Sequence, residues 1–133
     1  MKDVLTTCVL CGCGCGLYLH EVDGRISGAF PSKNHPVSRN NLCVKGWNVH
    51  EFIHSPARIT EPLMRKKNRL VPVSWDEAIS YTAKRLTEIR NETECQGVGV
   101  LASAKCTNEE NYLLQKFTRA VLKTNNIDHC ARL

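Results

Sequence analysis

The sequence predicts a mixed chain of the α+β / α/β class: a small β-rich subdomain wrapped around cysteines, then the start of a doubly wound αβα domain. Three observations predict it. Four of the eight cysteines stand at Cys8, Cys11, Cys15 and Cys43. Directly after the third, Asp23-Gly24 separates two runs of strand length. Beyond Pro56 and Pro62 the texture changes to helical repeats interleaved with a short apolar run, the pattern of α/β structure. The boundary is placed so that residues 1–58 form the first unit and 59–133 an incomplete second one.

In chain order, Leu17 to Val22 and Arg25 to Phe30 are predicted as a hairpin, because both central positions of a two-residue turn need positive φ and Asp-Gly tolerates it. Pro31 to Asn41 is polar and turn-rich and must return the chain to Cys43. The segment with Phe52 and Ile53 reads as a short helix or turn. Leu63-Met64 and Leu70-Val71-Pro72-Val73 form a second hairpin around a basic knot. Ser74-Trp75-Asp76-Glu77 is a capping box, opening a helix to about Arg90 with Trp75, Ile79, Thr82, Leu86 and Ile89 as its core face. Gly97 to Ala102 suits a buried parallel strand. Thr107-Asn108-Glu109-Glu110 repeats the capping box and starts a helix to about Leu122, with Leu113, Leu114, Phe117, Ala120 and Val121 inward. Thr124 to Asp128 begins another strand. Such a fragment of a doubly wound sheet cannot cover its own faces, so Ile79, Leu86, Leu114 and Phe117 are expected to expose apolar surface in the chain by itself.

The cysteine spacing, Cys-x2-Cys-x3-Cys-x27-Cys, carries the chemistry. Thiolate is the soft ligand an iron–sulfur cluster requires, and three on one loop with a fourth from a distant segment can enclose a cubane. Gly12, Gly14 and Gly16 alternate with the cysteines and are expected to bend the backbone through positive φ and bring N–H groups toward a negatively charged cluster. The common ferredoxin spacings do not fit. A structural zinc site is the alternative, but such sites come as two ligand pairs, and His35 and His50 flank Cys43 without a paired spacing. Cys13 is out of register and reads as a free thiol or a neighbour of the ligand set.

Length, charge and hydropathy bound the rest. In 133 residues there is room for one core or for a small domain plus part of another. Met1 to Val4 leads into the cysteine loop with no apolar leader, so the eight cysteines point to a reducing, cytoplasmic compartment rather than a disulfide framework. No run approaches the length of a membrane span, so direct membrane contact is not expected. The net charge of +5 is concentrated at Arg65, Lys66, Lys67 and Arg69. That knot is short and has no interleaved aromatics, which favours a solvated turn over a nucleic-acid surface. Lys105 and Cys106 fall at the C-terminal end of a predicted strand before a helix, where α/β folds bind ligands, and are candidates for cofactor contact.

Several blocks together resemble the catalytic subunits of molybdopterin-dependent formate dehydrogenases. They are Cys8-Val9-Leu10-Cys11-Gly12-Cys13-Gly14-Cys15, His35-Pro36-Val37-Ser38, Leu42-Cys43-Val44-Lys45-Gly46, Ser74-Trp75-Asp76-Glu77-Ala78, Asn108-Glu109-Glu110-Asn111-Tyr112 to Gln115-Lys116, and Thr124-Asn125-Asn126-Ile127-Asp128-His129-Cys130-Ala131-Arg132. The cysteine motif alone is shared with periplasmic nitrate reductases; the last two blocks point more narrowly to formate dehydrogenases. The resemblance implies a 4Fe-4S cluster on Cys8, Cys11, Cys15 and Cys43, and Lys45 between cluster and pterin as an electron-transfer residue. It implies molybdopterin guanine dinucleotide with molybdenum or tungsten, formate or CO2 as substrate, and iron–sulfur or flavin subunits as electron acceptors. It also implies that the remainder of a catalytic subunit is a partner of this stretch.

In that family a selenocysteine or cysteine that ligates the metal follows the block ending at Arg132, whereas this chain finishes at Leu133. The expectation is a product ending at a selenocysteine codon read as stop, inactive by itself. A dedicated small electron-carrier subunit is the alternative.

Overall fold

The computed structural model describes residues 1–130; Ala131, Arg132 and Leu133, the end of the last resembling block, lie outside the described residues. Two compact units divide the chain. One holds Met1–Arg58, Ala102–Tyr112 and the chain from His129; the other holds Ile59–Leu101 and Leu113–Asp128.

The first unit is built on a three-stranded antiparallel sheet in the order β1 (Lys2–Thr7), β2 (Gly16–Val22), β3 (Arg25–Pro31). The expected hairpin is present: Asp23 and Gly24 both take positive φ, 50° and 79°. Tyr18 and Phe30 pair across it with rings stacked at 5.4 Å between centroids. Strand β1 is an addition to the sequence reading. It pairs along its own full length with β2 and is held at its start by Lys2 to Glu21 (3.6 Å) and Asp3 to His20 (2.6 Å). Cys8, Leu17, Ala29 and Val49 form the buried core, with Leu10, Cys15, Leu19 and Leu42 against it. Leu17 is the side chain on which this core centres, 1 % exposed. A single helical turn, α1 (Val44–Trp47), follows Cys43 directly, and Phe52 and Ile53 lie in the turns after it.

In the second unit β4 (Leu63–Lys66) and β5 (Arg69–Pro72) form the second hairpin, its Lys67-Asn68 turn again in positive φ. The basic knot is thus a hairpin turn, and Lys66 is engaged by Glu77 at 2.8 Å. That ion pair alters the first capping box. The N–H of Glu77 donates to the Ser74 hydroxyl at 3.1 Å, but the Glu77 carboxylate goes to Lys66 instead of back to the cap. Helix α2 runs Trp75–Glu92, and α3 runs Asn108–Ala120. Their later turns meet where the Arg90 guanidinium donates to the Val121 carbonyl at 3.2 Å. Thr118 is fully buried and its hydroxyl is satisfied by the Leu114 carbonyl at 2.7 Å.

Two expectations need correction here. The helical period is right, but α2 contains no buried residue: Trp75 is 68 % and Ile79 60 % exposed. On α3, Leu113 and Phe117 are exposed too, as is Val121 just past its end, and Thr118 takes the buried place. The reason is that no layer among the described residues covers those faces, as the separate expectation of exposed Ile79 and Phe117 has it; Leu86 and Leu114 are half-buried. Likewise the run from Gly97 yields a strand only at β6 (Val100–Ala102), with Leu101 85 % exposed rather than buried. Among the described residues β6 pairs with β7 (Ile127–His129) in a two-stranded sheet.

Candidate metal centre

The cysteine loop is closed at its base before any metal is considered. The Cys8 N–H donates to the Cys15 carbonyl at 2.8 Å, at the point where β1 passes into the loop and β2 leaves it. Cys8 and Cys15 are therefore held on the hydrophobic core, while Cys11 is half-buried and Cys13 and Cys43 are exposed.

The fourth thiol arrives by a stitched return path. The carbonyl of Gly16 accepts from the Ser32 N–H (3.0 Å) and from the Ser38 hydroxyl (3.4 Å). His35 packs on Gly16 so closely that a Cβ there would collide with its ring, and the His35 Nδ1 accepts from the N–H groups of Val37 and Ser38, both at 3.4 Å. Glycine is needed at Gly16 for this approach. Gly12 is needed for another, since its Cβ position is filled by the Asn108 side chain. Only Gly14 of the three loop glycines takes positive φ (63°), so the single cause expected from the sequence divides into a bend and two close contacts.

Electrostatics tie the four thiols together. Burial, and then the negative charge of Cys8, Cys11 and Cys43, push the Cys15 thiol up. Cys43 moves the other way: the nearby N–H groups of Gly46 and Lys45, and after them the Lys45 charge, hold it below the ordinary thiol range, although its sulfur makes no capping hydrogen bond to α1. Cys43 occupies the N-cap position of α1, where unsatisfied N–H groups favour an anion. Lys45 is half-buried beside it. Cys13 is hydrogen-bonded to Cys11 and pushed up by that bond and by the surrounding thiolates.

A donor set of four mutually interacting thiols suits iron–sulfur chemistry. Among the described residues no three His, Cys, Asp or Glu side chains converge closely enough to hold a metal ion.

Lys105 and Cys106 lie in the turn between β6 and α3, as expected. The Lys105 N–H donates to the Ser103 hydroxyl (3.0 Å) and the Cys106 N–H to the Ser103 carbonyl (3.3 Å). The same turn holds Cys130: the Ala104 N–H, the Ser103 hydroxyl at 3.7 Å and the Lys105 charge keep its thiol below the ordinary range. The structure thus groups Lys105 with Cys130, an association that adjacency in sequence does not signal.

The second capping box is complete. Thr107 N–H donates to the Glu110 carboxylate at 2.7 Å, and the Glu110 N–H to the Thr107 hydroxyl at 3.2 Å. From that helix start the Asn108 amide donates to the Gly12 carbonyl at 3.1 Å. The sequence reading names Asn108 only within the capping box and a resembling block, and not as a site residue.

Known proteins bear on this geometry. Residues 1–55 match the molybdopterin oxidoreductase Fe4S4 domain, and residues 58–133 match the molybdopterin oxidoreductase family. The chain is 48 % identical over 132 residues to the F420-dependent formate dehydrogenase subunit alpha of Methanocaldococcus jannaschii. To two Methanococcus maripaludis proteins, the alpha subunits of F420-dependent formate dehydrogenases 1 and 2, it is 48 % and 44 % identical over 128 and 132 residues. Those alignments cover 99 %, 96 % and 99 % of this chain but 19 %, 18 % and 19 % of the relatives, so the chain spans less than a fifth of their length. The cofactors that go with the two matched domain types are a 4Fe-4S cluster and molybdopterin. By its cysteine loop and by a family match over more than half its length, the chain belongs to the molybdopterin oxidoreductases.

Proposed function

We propose that this chain is the cluster-bearing portion of a formate dehydrogenase catalytic subunit, with Cys8, Cys11, Cys15 and Cys43 as the four ligands of a 4Fe-4S cluster. The observation that carries the reading is the match of residues 1–55 to an Fe4S4 domain, on a loop whose base is closed by the Cys8 N–H to Cys15 carbonyl bond against the core. The formate specificity is taken from the relatives, whose names also call them F420-dependent, so an iron–sulfur or flavin electron-acceptor subunit is the partner to test. Residues 1–58 serve as the 4Fe-4S subdomain and 59–133 as the first part of the molybdopterin-binding domain. Lys105 and Cys106 are candidate pterin contacts. The metal takes its selenocysteine or cysteine ligand from the rest of the subunit. A cytoplasmic setting suits eight thiols kept available for metal.

When bound, the cluster supplies a one-electron acceptor for electrons leaving a molybdenum or tungsten pterin centre during formate oxidation, or a donor in CO2 reduction. The chain's own residues set its surroundings. Leu10, Leu17 and Leu42 keep water from the Cys8 and Cys15 side. The N–H groups of Lys45 and Gly46 and the Lys45 ammonium place positive charge at the Cys43 side, which favours added electron density there. That arrangement supports Lys45 as the polar link toward the pterin.

Anaerobic reconstitution tests the reading. Uptake of about four iron and four sulfide per chain is expected for a cubane. Stoichiometric zinc binding without sulfide would overturn it.

A further inference from the structure

We infer that Asn108 is a positioning residue for the iron–sulfur cluster, clamping the arch of the cysteine loop through Gly12; the inference rests on the four-cysteine reading above. Asn108 is the first residue of α3, and its backbone is fixed on both sides. Thr107 and Glu110 cap the helix reciprocally, and the Asn111 amide donates to the carbonyls of Ser103 and Thr107, each at 3.1 Å. A side chain carried on so constrained a turn does not follow the loop; it holds it. The hold has two parts. The Asn108 Nδ2 donates to the Gly12 carbonyl at 3.1 Å, bridging 96 positions of sequence. The Asn108 Oδ1 occupies the place where a Gly12 Cβ would stand.

Gly12 is flanked by Cys11 and Cys13 and is absent from the positive-φ glycines. Its lack of a side chain is thus accounted for by Asn108 alone. The bond also draws electron density from the Gly12–Cys13 peptide, whose N–H belongs to the loop around the cluster. Hydrogen bonding and net charge near the sulfurs are among the determinants of cluster potential, so this contact reaches the cluster electronically as well as sterically.

The test uses the full chain loaded anaerobically with iron and sulfide, reading metal content, the electron paramagnetic resonance of the reduced cluster, midpoint potential and the rate of iron loss to a chelator. Asn108→Ala should retain iron and sulfide but lose iron about fivefold faster, the factor for one net hydrogen bond. Asn108→Asp keeps the shape while turning the donor into a negative carboxylate, and should lower the potential. Gly12→Ala should reproduce the Asn108→Ala phenotype, because its methyl displaces the amide. The double variant should be no worse than either single one. Thr118→Ala, which weakens the same helix ten residues from Asn108 without touching Gly12 or the cap, should leave potential and resonance as in the parent chain. Unchanged potential and chelator rate in both Asn108 variants, additive effects in the double variant, or an equal shift with Thr118→Ala would overturn the inference while the cluster reading stands. Absence of sulfide uptake by the parent chain would overturn both.

Discussion

The backbone N–H of Gly46, ahead of that of Lys45, holds the Cys43 thiol below the ordinary range, so among the four proposed ligands it is the one whose thiolate is favoured before iron arrives. Cys15, half-buried near three other thiols, is pushed in the opposite direction. A cluster would relieve that opposition by neutralising the four sulfurs together.

Cys43→Ser should abolish the cluster, because it removes a thiolate and the anion that α1 receives, whereas Cys13→Ser should leave iron and sulfide content near the parent value. Visible absorption and iron analysis after anaerobic reconstitution read both. Cluster loss in Cys13→Ser would mean that the ligand set is misassigned.

Lys45→Met should keep the iron content and slow formate-dependent reduction of the cluster in the complete catalytic subunit. A charge-assisted hydrogen bond of about 1.5 kcal/mol corresponds to about tenfold in rate. Rapid-mixing spectroscopy measures it, and unchanged kinetics would reduce Lys45 to a residue that only helps hold Cys43.

Leu17→Ala should destabilise the first unit by about 3 kcal/mol, the cost of a cavity at a fully buried leucine. Denaturant titration of the cluster-loaded chain gives the value. Since Leu17 lies two residues past Cys15 and in the same core, cluster lifetime should fall in parallel.

Cys130 should react with a thiol alkylating agent at lower pH than an ordinary cysteine. Its folded-state pKa is lowered, so thiolate is present at pH values where an unperturbed thiol is still protonated. Ser103→Ala removes one of its hydrogen-bond donors and should move the half-maximal rate to higher pH. Mass mapping of the alkylated peptide over a pH series reads the shift.

The first hairpin was legible because Asp23-Gly24 tolerates the positive φ its turn demands, and the second because two short apolar runs flank a basic knot; the positive φ of Lys67 and Asn68 in that turn is an addition of the structure. The Fe4S4 character of the first 55 residues was legible because ligand spacing is a local record of metal geometry. Strand β1 was not, since Lys2 to Thr7 has no buried face of its own and exists by pairing with β2. The periodic faces of α2 and α3 announced apolar stripes, but a stripe does not say whether a cover is present, and Trp75 and Leu113 stand in solvent. Asn108 on Gly12 was out of reach for another reason: a contact between residues 96 apart leaves no periodicity or spacing to read.

Gly16, whose carbonyl takes both the Ser32 N–H and the Ser38 hydroxyl, changes the thermodynamics of assembly. Twenty-seven residues separate Cys15 from Cys43. Left free, closing such a loop would cost on the order of 3 kcal/mol in chain entropy. Because the segment is already fastened halfway along its path, most of that ordering belongs to folding and little to metal uptake. Iron then meets the fourth thiol at a high effective concentration, and the affinity of the site becomes sensitive to Ser38, a residue that touches no metal.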